Sequence, residues 1–157
     1  MANKNLKYFM REESKREQIF QVPAPDRFVD ENGEVVQMEV KKLHNDTIAR
    51  INDMYKSRTP MKDKKGNYII QNGEVVFKTE KDSVKATRHI IAEALVYPNL
   101  KDPEIMGFYG CADIADMPLK VFPDNDEFGY VSRKVLEILG LLDAAEDNER
   151  EVEDAKN

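Results

Sequence analysis

Residues 27–43 read RFVDENGEVVQMEVKKL, and the class of the fold turns on them. Phe28-Val29 and the run from Val35 to Val40 flank Asp30-Glu31-Asn32-Gly33, where Asn-Gly supplies the positive φ angles a tight reversal demands. In the second arm Val36, Met38 and Val40 alternate with Gln37, Glu39 and Lys41, the period of two of a strand with one buried face. Such a strand should lie on something apolar.

The core of this stretch, NGEVV at 32–36, recurs at 72–76 within GNYIIQNGEVVFKTE. Here Tyr68-Ile69-Ile70 and Val75-Val76-Phe77 stand on either side of Asn72-Gly73, and both arms are β-branched or aromatic, so a second hairpin is predicted. A duplicated unit would repeat its neighbours too. QMEVKKLHND after the first copy does not match FKTEKDSVKA after the second, so the repeat is turn chemistry followed by strand chemistry.

Between and after the hairpins the period changes to that of helices. NDTIARINDMYKSR sets Ile48, Ile51 and Tyr55 three and four apart, with Asn45 or Asp46 as cap and Pro60 as terminator. DSVKATRHIIAEALVYP sets Val84, Thr87, Ile91 and Leu95 on one face, with Asp82 or Ser83 as cap. Asp102-Pro103-Glu104 reads as cap, first helical residue and first-turn acid of a short helix ending near Gly110. A last helix from about Asp124 carries Phe128, Val131, Val135, Ile138 and Leu142 as its apolar stripe, with Asp124 and Glu127 spaced as a capping box and Gly140 as a left-handed stop. The chain is thus predicted to be α+β: a small, mostly helical domain with one or two short antiparallel β-hairpins and flexible termini.

Three parts follow. Residues 1–26 read as an N-terminal arm: residues 11–20 are weakly helical, Pro23 and Pro25 forbid continuation, and Leu6, Tyr8, Phe9 and Met10 cluster without a core around them. Residues 27–142 form the domain. Residues 143–157, DAAEDNEREVEDAKN, hold seven acids and two bases, so they carry −5 of the formal −6. With Val152 as their only large apolar residue they cannot offset an ordering entropy of roughly 1–2 kcal/mol per residue, and disorder or a frayed helix is predicted there.

This charge distribution argues against nucleic acid, which needs a basic footprint; KDKKGNY at 62–68 is the densest basic run and reads as a solvated turn. The beginning lacks a signal-peptide apolar run, and nothing approaches the roughly 20 apolar residues of a membrane span. A soluble protein in a reducing compartment is expected, consistent with the single Cys111. Catalytic and metal sites are not apparent. His44 and His89 have no nucleophile motif with Cys111. DENG at 30–33 brings its glycine too early for a calcium loop, and DNDEFG at 124–129 has a phenylalanine at a ligand position. The seven glycines are scattered singly, so there is no phosphate cradle and no cofactor is expected.

In order along the chain, Arg27, Phe28, Asp30, Glu31 and Gly33, then Tyr97, Pro98, Asn99 and Leu100, then Tyr109 and Gly110, then Phe122 and Pro123 resemble the motifs of the XkdN-like phage tail assembly chaperones. The match covers most of residues 27–142. It departs before the last helix, where Pro123-Asp124-Asn125-Asp126-Glu127-Phe128 stands in place of Pro-Gly-Glu-Tyr. The resemblance implies a non-enzymatic assembly factor of the host bacterial cytoplasm that coats the tape measure protein and leaves as tail tube protein subunits add, with self-association as a further expectation. A minor tail completion or connector protein retained in the virion is the alternative. Leu6, Tyr8, Phe9 and Met10 are the candidate partner-binding residues, whereas Tyr97, Leu100 and Tyr109 are expected in the core.

Overall fold

A computed structural model describes residues 4–10 and 18–142; the helical reading of 11–17 and the predicted disorder of 143–157 lie outside them. Among the described residues, five α-helices and seven short strands make a mixed α+β domain in which helix is the larger share, as the sequence predicts. The central sheet has three antiparallel strands in the order β1-β2-β7, formed by Ile19–Pro23 (β1), Gln37–Lys41 (β2) and Leu95–Tyr97 (β7). On β2, Met38 and Val40 are buried and Gln37 is exposed, so the alternation seen in the sequence does select a core face.

β1 corrects the arm reading for residues 19–23. It pairs with β2 from Ile19 opposite Lys41 to Pro23 opposite Gln37, and the Ala24 N–H continues the ladder onto Val36 O at 2.8 Å. The strand was hard to read because it lies at the sheet edge, where prolines are tolerated, and only Val22 of its five residues is buried.

Helix α1 (Asn45–Met54) is capped by His44 rather than Asn45 or Asp46, without a side-chain bond, and stops at Met54. Lys56–Arg58, which the helical reading placed beyond it, instead begin strand β3 (Lys56–Pro60), which pairs with β6 (Phe77–Lys81). Between them lies the second hairpin, β4 (Ile70–Gln71) against β5 (Glu74–Val75).

Helix α2 (Ser83–Ala94) is the centre of the core. Asp82 caps it by accepting from the Lys85 N–H, as predicted. The expected stripe is corrected, because Val84 is 68% exposed while Ala86, His89, Ile90, Ile91, Ala92 and Ala94 are buried. A helix buried on so many sides has neighbours on several faces, here α1, β7, α4 (Met117–Val121) and α5 (Asn125–Ile138).

Helix α3 (Pro103–Tyr109) follows the reading closely: Asp102 accepts from the Glu104 N–H, and Gly110 turns left-handed at φ +60°. On α5, Val131 and Val135 are buried as predicted. Its end is a Schellman motif, with Gly140 N–H on Glu137 O and Leu141 N–H on Leu136 O. The capping box does not form. Asp124 stands at the N-cap without a side-chain bond, and Glu127 faces Arg27 instead.

Candidate functional site

The first motif group, with Phe122, meets at one corner, where the first hairpin reaches the start of α5. In that hairpin the Asp30 carboxylate accepts from the N–H groups of Asn32 and Glu34, and the Gly33 N–H returns to Asp30 O with φ +78°. This turn holds Phe28 edge-on to Phe122, with ring centroids 5.6 Å apart. Arg27 lies over the Phe28 ring at 4.2 Å, pairs with Glu127 and donates to Val121 O at 3.0 Å. The Tyr130 hydroxyl donates to Pro23 O, tying α5 to β1. Arg27, Phe28, Asp30 and Gly33 are therefore a structural clasp on Phe122, which is 1% exposed.

The second motif group divides. Leu100 is fully buried and Tyr109 packs half-buried against the core, as expected. Tyr97 corrects the core reading, since it is 52% exposed at the end of β7. With Val96, Pro98, Ile105 and Phe108 it lines an open groove of about 430 Å³. Phe108, 80% exposed, was not singled out from the sequence, although it is the apolar residue of a seven-residue helix that falls off the Ile105–Tyr109 face.

The N-terminal candidates stand on a 3₁₀ turn, Leu6–Phe9, capped by Asn5, which accepts from the Lys7 N–H. Leu6, Tyr8, Phe9 and Met10 are 75, 53, 89 and 77% exposed, so none docks into the body.

The ionisable groups are arranged as structural pairs. His89 Nδ1 lies 2.6 Å from the Tyr55 hydroxyl, and burial holds the imidazole below its usual range, so the phenol shares a hydrogen bond with a neutral ring. Burial also raises Tyr55. The salt bridge from Lys85 lowers Asp113, helped by the Ala115 N–H, while the hydrogen bond to Asp113 raises Lys85. Cys111 Sγ donates to Asp113 O at 3.3 Å. Among the described residues, no group of three or more His, Cys, Asp or Glu is placed to hold a metal ion, and no helix is long and apolar enough to cross a membrane.

A helix-rich body whose motif residues build a clasp, with apolar side chains left outside it, has the make-up of a protein that acts through contact surfaces. The sequence profile of the phage XkdN-like tail assembly chaperone proteins matches residues 6–156. The chain belongs to the phage XkdN-like tail assembly chaperone family, and its general role is that of a chaperone in tail assembly. The phage-like element PBSX protein XkdN of Bacillus subtilis strain 168 is 28% identical over 162 positions, spanning the whole of both chains. The uncharacterized protein YqbN of the same strain is 31% identical over 153 residues, 98% of this chain and 93% of YqbN. The crystal structure of YqbN shares the fold, with a TM-score of 0.65 at 24% identity over 88% of this chain and 98% of that one.

Proposed function

We propose that this protein binds the tape measure protein of its phage or prophage reversibly, in the host bacterial cytoplasm and without catalysis, and gives it up as tail tube protein subunits add. The observation that carries this reading is the cluster Leu6, Tyr8, Phe9 and Met10, four large apolar side chains exposed together on one turn. Side chains of this kind, outside the core and adjacent in sequence, are the anchors with which a segment engages an apolar helical partner. Tyr97 and Phe108 add a second exposed apolar patch on the groove beside α3.

The test is coexpression with the tape measure protein followed by affinity capture. Removing residues 1–10, which leaves β1 in place, should abolish co-purification while the urea transition of the chaperone is unchanged. Capture that survives the deletion would sink the anchor assignment. Absence of the protein from purified particles by mass spectrometry is the matching expectation for a factor that departs before the tail is complete.

A further inference from the structure

Residues 56–81 join α1 to α2 as a ribbon with no core beneath it. Among its 26 residues none is buried, and Pro60, Ile69 and Val76 are the only ones half-buried. The ribbon is closed at its base by the Asp82 N–H on Tyr55 O at 3.0 Å. A two-stranded ribbon alone in water is marginal, and this one leaves Tyr68, Ile70 and Phe77 exposed by 54, 63 and 44%.

Its charge is as distinctive as its exposure. Seven cations stand against three acids, giving +4 in a chain of −6. The register sets Lys56 opposite Lys81, Arg58 opposite Thr79 and Pro60 opposite Phe77 on one face, with the Arg58 guanidinium 4.4 Å over the Phe77 ring. That face has no acid of its own, and among the described residues only Lys56 on it has an anionic partner, Asp53 of α1. The ion pair Lys78–Glu80 belongs to the opposite face. Like charges set directly across a ladder repel, so Lys56 and Lys81 favour an anion laid over them. At the far turn Lys62, Lys64 and Lys65 surround Asp63, whose Oδ1 is taken up by the Lys65 and Asn67 N–H groups.

The complementary charge is in the same chain: segment 143–157 carries −5. Copies of a −6 chain repel one another at long range, and a +4 ribbon with a −5 segment provides a local contact that reverses this. We propose that the basic, aromatic face of residues 56–81 docks segment 143–157 of a second copy of this chain. Donor and acceptor are different patches, so the contact is heterologous and can repeat from copy to copy. The inference does not rest on the tape measure reading, which residues 1–10 test separately.

The experiment mixes unlabelled and ¹⁵N-labelled full chains and joins lysine to carboxylate with a zero-length carbodiimide before mass spectrometry. Light-to-heavy amides between Lys62, Lys64, Lys65 or Lys81 and the acids of 143–157 are expected, with yield falling about tenfold or more from low salt to 0.5 M as exposed charges are screened. K62E/K64E/K65E/K81E and D143K/D147K/E151K/D154K should each lose these links, and a mixture of the two variants should restore them. The neutral set K62Q/K64Q/K65Q/K81Q, which has no amine to link at these positions, should keep the urea transition unchanged. Links confined to chains of one isotope would mean that the segment covers its own ribbon and would overturn the proposal. So would failure of the mixture to restore them, or a ribbon whose lysines affect only the binding of a single-stranded or duplex 30-mer.

Discussion

Phe122 packs against Phe28, and Phe28 is in turn covered by Arg27, so two motif residues adjacent in sequence hold the ring of a third far along the chain. Because Phe122 is 1% exposed, Phe122→Ala should cost about 3–5 kcal/mol in urea unfolding through lost transfer energy and the cavity left behind. Phe28→Ala, at a half-buried site, should cost less. His89 sets a pH dependence. Its folded form is held below the usual imidazole range by burial, so between the unfolded value of about 6.5 and the folded one the unfolded chain binds more protons. Stability should therefore fall as pH drops below about 6.5, and His89→Gln, which keeps an acceptor for Tyr55, should remove that slope in melts at successive pH values. His89 was visible in the sequence only as a histidine beside an apolar face. Its partner Tyr55 lies 34 positions earlier on another element, and only packing joins them.

At the scale of elements, the two copies of NGEVV build different turns. Asn72 and Gly73 both take positive φ, +52° and +80°, in a two-residue hairpin between Gln71 and Glu74. In the first copy only Gly33 is left-handed, because Asp30 draws the Asn32 and Glu34 N–H groups onto its carboxylate. The true counterpart of the first turn is Asp63-Lys64-Lys65-Gly66, with Gly66 N–H on Asp63 O and Asp63 N–H on Asn67 O, matching Gly33 on Asp30 and Asp30 on Glu34. Asp-x-x-Gly, rather than the pentapeptide, is the unit that repeats. Asn72→Ala should thus cost about 1 kcal/mol, read as faster amide exchange in the ribbon, whereas Asn32→Ala should change exchange around its own turn by less than about half that. The sequence named the Asn72-Gly73 turn correctly, gave Asn32 a positive φ that it does not take, and mistook the first residues of the strand after α1 for helix. Lys56–Pro60 has little β character, and its pairing with Phe77–Lys81 across the sixteen residues 61–76 is what makes it extended.

Over the whole molecule, the core is formed by the sheet face of Met38 and Val40, the helix α2 and the buried ends of α4 and α5, and residues 56–81 contribute nothing buried to it. Joining Ser57 to Glu80 through Asn-Gly should therefore leave the urea transition of the body in place, while the light-to-heavy cross-links disappear; a collapse of the transition would show that the ribbon stabilises the body. By itself the sequence determined what depends on neighbours along the chain: the turns at Gly33 and Gly73, the caps at Asp82 and Asp102, the left-handed stops at Gly110 and Gly140, and the alternating face of β2. These are set by backbone sterics and by hydrogen bonds spanning a few residues. Only the tertiary structure decided that Ile19–Pro23 is a strand, that α2 buries Ala86 and Ile90 in place of Val84, that Glu127 turns from its own helix cap to Arg27, and that Tyr97 faces out. Each of those outcomes is a competition between partners far apart in sequence, and the chain's composition does not record which partner arrives first in space.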